Sequence, residues 1–330
     1  MISLEGALTK TSGAKFVHLI YGDRLFPKKL LLPFYLVFGF GNKIKALVSS
    51  CDIIHALDGW PYGFWAALLA GKYHKKLVIT AVGTGGVKPL YGFLTKPLLA
   101  WAYRRANERV AVSRHTRDEI LKVLPDLKIA VINHGVDAEK YKVLGMKYSV
   151  LEQRRPYILS VGAWKRRKGL ENSIKAFDLL RAKFPGLKYL ILSKPPEEIR
   201  KKYSQVTFVS GFSEEELAAL YKNAELFILL PQDDRKDIEG FGLAYLEAAA
   251  AGLPVIGSKG TSAEDAILDG RNGFLVDGQN PQAAAVKMEK ILVDMQLRDE
   301  MSGASSEFAK TMSWEKAAGS YSEIYRQVLK

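Results

Sequence analysis

Short apolar runs bounded by glycine, proline and polar residues alternate with longer amphipathic segments through most of the chain. The runs Ala14–Tyr21, Cys51–Ala56, Lys76–Ala81, Glu108–Val112, Ile129–Ile132, Tyr157–Val161, Tyr189–Leu192, Val206–Val209 and Leu226–Leu230 read as strands, being rich in β-branched and aromatic residues and bounded by turn formers. Between them, Pro61–Gly71, a segment opening at Ser113, one from Gly169 through Lys183 and one opening at Glu214 read as helices. Asp118 and Glu119 stand in the early turns after Ser113, where a helix N-terminus favours acidic side chains. Strand and helix in turn is the βαβ rhythm of a parallel sheet, so the expected class is α/β.

Ile238–Gly257 is the stretch with the strongest pattern. A loop, Glu239-Gly240-Phe241-Gly242, runs into good helix formers from Leu243 to Ala251, and Gly252 ends the segment before a proline-led apolar strand. A loop that follows a parallel strand and opens a helix binds anions, because free backbone N–H groups and the helix dipole point at the ligand. Glu239 and Glu247 frame the loop. A carboxylate beside a phosphate is suited to accepting hydrogen bonds from ribose or sugar hydroxyls, so the pair suggests a nucleotide-sugar. Gly162-Ala163-Trp164-Lys165-Arg166-Arg167-Lys168-Gly169 adds four cations in another loop before a helix, either a phosphate site or a solvated charge run.

Length and composition bound the rest. A chain of 330 residues suits two domains, expected at 1–150 and 151–313 with a linker near Lys147–Arg155 and a terminal helix from about 314 to 330. The single cysteine, Cys51, excludes an internal disulfide and fits a reducing compartment. No Cys/His cluster of zinc type occurs, and Asp233, Asp234 and Asp237 lack an Asp-x-Asp spacing, so no metal is expected. The densest apolar run, Leu30–Phe40, is broken by Pro33 and is too short to span a bilayer, and no signal peptide is expected.

Taken with Ala-Gly-Leu-Pro-Val-Ile after Glu247, with Glu264 and with Asn272-Gly273-Phe274-Leu275-Val276, the two glutamates resemble the donor-binding half of the retaining GT-B glycosyltransferases of family 4. Lys168-Gly169 and Asn133-His134-Gly135-Val136-Asp137 extend the resemblance over most of residues 105–330. It implies two Rossmann-like domains facing a cleft, the first for the acceptor and the second for a UDP- or GDP-sugar, with the C-terminal helix returning to the first. It also implies transfer without a metal or other cofactor and an α-linked product. Lys168 then becomes a diphosphate ligand and, with Glu239, a catalytic residue. Gly162, Arg166, Arg167, Gly211, Phe212, Gly240, Phe241, Gly242 and Glu247 complete the donor site: Gly211 and Phe212 hold the base, Glu239 the sugar hydroxyls and Glu247 the ribose diol. The chain departs from the pattern in three places. Val82 stands where the family commonly has a histidine, Ala163 stands where it has an arginine, and its first glycine-rich βα unit is not recognisable. These departures leave open a catalytically weak nucleotide-sugar-binding module.

Charge changes the picture last. Of the +13 total, residues 1–150 hold 22 Lys and Arg against 10 Asp and Glu, while residues 151–330 are close to balanced at 26 against 25. A basic half meets an anionic partner. Nucleic acid lacks any supporting motif. Two stretches, Arg24–Lys45 and Lys88–Arg105, mix cations with aromatic residues and are either core helices with basic ends or interfacial segments. Lys28, Lys29, Lys43 and Lys45 are the expected contacts to an anionic membrane surface, with a glycan or glycolipid acceptor and a location on the cytoplasmic face of the membrane.

Overall fold

A computed structural model describes residues 41–141, 156–234 and 236–330. They fall into two compact units: one runs to Ile132 and takes back Ala317–Lys330, and the other is Asn133–Lys316. The strand expected at Ala14–Tyr21, most of Arg24–Lys45 with Lys28 and Lys29, and the linker expected near Lys147–Arg155 lie outside the described residues.

In the first unit α1 (Gly41–Ser49) precedes β1 (Ile53–Leu57), α2 (Phe64–Lys72), β2 (Lys76–Ala81), α3 (Thr95–Arg105), β3 (Glu108–Ala111), α4 (Arg114–Leu121) and β4 (Ala130–Val131). The four strands pair in parallel in the order β1-β2-β3-β4. Leu77, Val78 and Ile79 on β2 are fully buried, as continuous apolar runs in a sheet covered on both faces must be. Ser113 caps α4 by accepting from the Thr116 N–H. Pro89 and Pro97, which break the sequence pattern, fall in the first turns of a 3₁₀ segment (Lys88–Tyr91) and of α3, where a missing N–H removes no helical bond.

The second unit holds β5 (Tyr157–Val161), α5 (Leu170–Asp178), β6 (Lys188–Leu192), α6 (Glu197–Lys202), β7 (Thr207–Val209), α7 (Glu214–Lys222), β8 (Leu226–Ile228), α8 (Leu243–Ala250), β9 (Val255–Ser258), β10 (Gly273–Val276), α9 (Pro281–Val293) and α10 (Met295–Thr311). Its six parallel strands run in the order β10-β9-β8-β5-β6-β7. The chain therefore builds outward from β5 in one direction to β7, then returns to the other side of β5 with β8. Ligands bind at such a reversal, beyond the carboxyl ends of the strands, because the connecting loops diverge there and leave a crevice.

The last helix, α11 (Trp314–Leu329), begins in the second unit and from Ala317 onward belongs to the first. Within the first unit the Tyr325 hydroxyl lies 2.7 Å from His55 Nδ1, and the Tyr321 hydroxyl lies 3.1 Å from Thr80 Oγ1. His55 Nε2 bonds the same Thr80 oxygen at 2.8 Å, which ties the helix to β1 and β2. Burial holds the His55 imidazole neutral, its pKa lowered to about 4.

Candidate functional site

The loops after β5 and β8 flank the reversal in strand order, and they are stitched to one another. Gly169 sits in the left-handed region (φ +63°) with the Leu230 carbonyl so close that a Cβ would meet it at 1.5 Å. The Gln232 N–H donates to the Arg167 carbonyl at 3.0 Å. Leu229 and Leu230, expected to extend β8, belong instead to this loop, and the Leu230 carbonyl is part of what Gly169 packs against.

This backbone brings Arg167, Lys168 and Glu239 together. Lys168 Nζ donates to Glu239 Oε1 at 2.9 Å, and Arg167 Nη1 donates to Glu239 Oε2. The Lys168, Arg167 and Glu239 side chains are 13%, 18% and 10% exposed, so each charge is held largely out of water and needs its partner. The aliphatic stem of Lys168 lies over Gly162, where a Cβ would be 3.5 Å away. Arg167 also pairs with Asp237 at 3.2 Å, and the exposed Arg166 lies 3.6 Å from Asp234. Two of the aspartates weighed as a metal cluster are thus counterions of the cationic loop.

Past Glu239 the chain reaches Gly242 with φ +81°, which caps α8 without a side-chain bond and leaves its first N–H groups facing outward from the helix end. Phe241 is buried and meets the His134 ring edge-on at 5.6 Å, while Trp314 covers the same imidazole. Burial lowers the His134 pKa to about 4. His134, in the Asn133–Asp137 turn, therefore serves this unit as a neutral ring packed against the loop.

Glu247, one helical turn further into the unit, is held by two phenols that sequence spacing did not single out. The Tyr221 hydroxyl donates to Glu247 Oε2 at 2.8 Å, and Tyr141 also hydrogen-bonds this carboxylate. Both tyrosines are pushed above the usual phenol range, first by burial and then by the neighbouring glutamate charge. Gly211 (φ +77°) and Phe212 lie outside this cluster, at the turn before α7, whose Ser213 and Glu216 form a reciprocal capping box.

The family model Glycosyl transferases group 1 matches residues 146–308, and the model Glycosyltransferase Family 4 matches residues 6–140. The chain belongs to glycosyltransferase family 4.

Among relatives of this glycosyltransferase, an uncharacterized glycosyltransferase of Methanocaldococcus jannaschii is 24% identical over 86% of the chain and 78% of the relative. A GDP-mannose-dependent alpha-(1-6)-phosphatidylinositol monomannoside mannosyltransferase of Mycolicibacterium smegmatis is 27% identical, with 81% and 74% covered. Among solved structures, Anabaena HepE in complex with UDP superposes with a TM-score of 0.75 at 17% identity, over 87% of this chain and 81% of that one. Sucrose-phosphate synthase from Thermosynechococcus elongatus gives 0.74 at 20% identity, over 94% and 80%. The fold is GT-B.

The glycosyltransferase carries a second unusual group in its first unit, again one the sequence did not single out. Asp58, just past the carboxyl end of β1, has a non-glycine φ of +123° and accepts from the Gly59 N–H at 2.8 Å. Its carboxylate lies against Gly85, where a Cβ would meet Oδ2 at 1.9 Å. Burial raises its pKa to about 6, against the bonds from the Gly59 and Val82 backbones that lower it. A half-buried carboxyl in this range can accept or give a proton near neutrality. Val82, whose backbone bonds the Asp58 carboxylate, follows β2 directly and has an exposed side chain. Of the expected membrane lysines, Lys43 lies in α1 and Lys45 is exposed on it. Among the described residues no helix is long and apolar enough to cross a membrane.

Proposed function

We propose that this glycosyltransferase moves a sugar from a UDP- or GDP-sugar to a lipid-linked or glycan acceptor, with retention, making an α-glycosidic bond. The observation that carries the reading is the convergence of Arg167 and Lys168 on Glu239 at the reversal point of the six-stranded sheet. Two cations converge on Glu239, with Arg167 also reaching Asp237, and an arriving diphosphate offers them more negative charge than Glu239 does. Glu239 is then released toward the hydroxyls of the transferred sugar. Glu247, steadied by Tyr221, accepts from the ribose diol, and the backbone at Phe241 and Gly242 adds N–H donors. As the bond from the anomeric carbon to phosphate breaks, negative charge grows on the leaving diphosphate, where Lys168 and Arg167 stabilise it. The acceptor oxygen bonds the anomeric carbon on the same face, and its proton passes to the departing phosphate.

The names of the relatives support the donor and acceptor classes: the mycobacterial relative is GDP-mannose-dependent and acts on a phosphatidylinositol monomannoside, and HepE was crystallised with UDP. Phosphate is neutralised by side chains, so the reaction proceeds without a divalent ion. The enzyme works at the cytoplasmic face of a membrane as a peripheral protein. Titrating UDP- and GDP-sugars into the wild type, Lys168→Ala and Glu247→Ala tests the site. Losing a charge-assisted hydrogen bond costs about 1.5–3 kcal/mol, so each variant should bind about ten- to a hundredfold more weakly while keeping its fold. Unchanged dissociation constants in both would remove the assignment.

A further inference from the structure

The first unit exposes several large apolar side chains along one stretch of chain. Phe93 is 94% exposed and Leu94 74% exposed, in the short connection between the 3₁₀ segment and α3. Leu94, Leu98, Trp101 and Arg105 follow at helical spacing along one side of α3, and the first three are exposed. Leu99, Ala102 and Tyr103, on the other side, are fully buried. Helix α3 therefore spends one apolar face on the core and still shows another to solvent. The surface continues onto α2: the Phe64 ring stands 6.0 Å from Trp101 edge-on, Leu68 one turn later is exposed, and Arg105 lies close enough to touch a Cβ at Gly71. Clustered exposed apolar residues of this kind mark an interaction site.

Charge decides the partner. From Gly59 to Asn107 the sequence has five lysines and two arginines and no aspartate or glutamate. Lys88 and Lys96 are exposed in the same stretch of chain, and the Arg105 guanidinium lies over the Trp101 ring at 6.0 Å. A second copy meeting this face through the same face would set like charges against each other. An anionic lipid leaflet accepts both parts of the surface, taking the aromatic and aliphatic tips below the headgroups and the cations at their level.

We propose that Phe93, Leu94, Leu98 and Trp101, with Arg105 on the same side of α3 and the exposed Lys88 and Lys96 in the same stretch, form the surface by which the protein docks on an anionic membrane. The proposal rests on the peripheral-membrane reading above and centres it on residues other than Lys28, Lys29, Lys43 and Lys45. It orients the unit with the α2–α3 face toward the lipid, which brings a lipid-linked acceptor to the first unit from that side.

Flotation with vesicles of phosphatidylglycerol and phosphatidylcholine tests it on the full chain. Wild type should float at low salt and less at high salt, and should not float with phosphatidylcholine alone. Phe93→Ser with Leu94→Ser, at positions exposed enough to leave folding intact, should lower the partition coefficient about tenfold or more. Lys88→Glu with Lys96→Glu should abolish the preference for anionic vesicles. If wild type floats and both double variants float equally well, the docking surface is wrong while the peripheral-membrane reading stands. If wild type stays in solution with anionic vesicles at low salt, both fail. A wild-type dimer that Phe93→Ser with Leu94→Ser converts to monomer, with no loss of flotation, would assign the surface to a second copy and also overturn the proposal.

Discussion

Gly169 has two reasons to be glycine, its left-handed φ and the Leu230 carbonyl that occupies the place of a side chain. Gly169→Ala should destabilise the protein by about 2 kcal/mol or more and push apart the two loops that hold Arg167 and Lys168. Urea unfolding reads the stability; an unchanged midpoint would show that the loops are not coupled in this way. Asp58 gives the second prediction at this scale. Its carboxyl is held at about 6 in the folded protein and titrates near 3.8 when exposed, so the folded state retains a proton that the unfolded chain releases. The stability it contributes is complete below about pH 4 and is lost as pH rises to 6. Asp58→Asn does not titrate, so its stability relative to wild type should improve by on the order of 2 kcal/mol between pH 4 and pH 6.5. The comparison has to be made between variants. His55 and His134, with pKa values lowered to about 4, favour unfolding as pH falls below 6.5 and slope the opposite way over the same range. A difference between Asp58→Asn and wild type that stays flat across the range would contradict the raised carboxyl. Lys168 and Glu239 were legible in sequence because each sits in a glycine-marked loop next to a strand. Asp58, Tyr141 and Tyr221 were not: their roles come from groups that only the folded chain brings near them.

The helices and strands follow from local pattern wherever burial is symmetrical. Lys76–Ala81 and Tyr157–Val161 form strands with the bounds that their apolar runs imply. Local pattern fails where tertiary contact sets the boundary. Leu229 and Leu230 are as apolar as the strand before them, yet the strand ends at Ile228: Leu229 still donates to the Ile256 carbonyl of β9, and at Leu230 the chain closes on Gly169. The helix expected from Gly169 through Lys183 stops as an α-helix at Asp178 and continues in turns. Helix α11 carries its own prediction. Its Tyr325 is the hydroxyl partner of a part-buried, neutral imidazole, so Tyr325→Phe leaves His55 Nδ1 without that bond. The expected cost is about 1–3 kcal/mol, read by thermal unfolding together with faster amide exchange in β1 and β2. Wild-type stability and exchange in Tyr325→Phe would mean that the helix is held by its apolar contacts alone.

At the scale of the molecule, the two units are chemically different objects. The second is nearly neutral overall and concentrates charge in opposed pairs around Lys168 and Glu239, whereas the first carries almost all of the net positive charge. That asymmetry was legible in the sequence, as was the α/β class; which aromatic residues reach the surface was not, because Lys88–Arg105 reads equally well as core or interface until Phe93 and Leu99 are placed. Side-chain neutralisation of the diphosphate predicts that turnover survives EDTA, and strict dependence on an added divalent ion would move attention to Asp233, Asp234 and Asp237. The proposed mechanism consumes nucleotide-sugar at the Lys168–Glu239 site. The most direct measurement is release of nucleoside diphosphate when UDP- and GDP-sugars are supplied one at a time with anionic lipid extract as acceptor source, for wild type and Lys168→Ala in parallel. Wild type should release nucleoside diphosphate from at least one donor, with about a hundredfold or greater loss in Lys168→Ala. Equal release by the two proteins, or none by wild type from any donor, would contradict it.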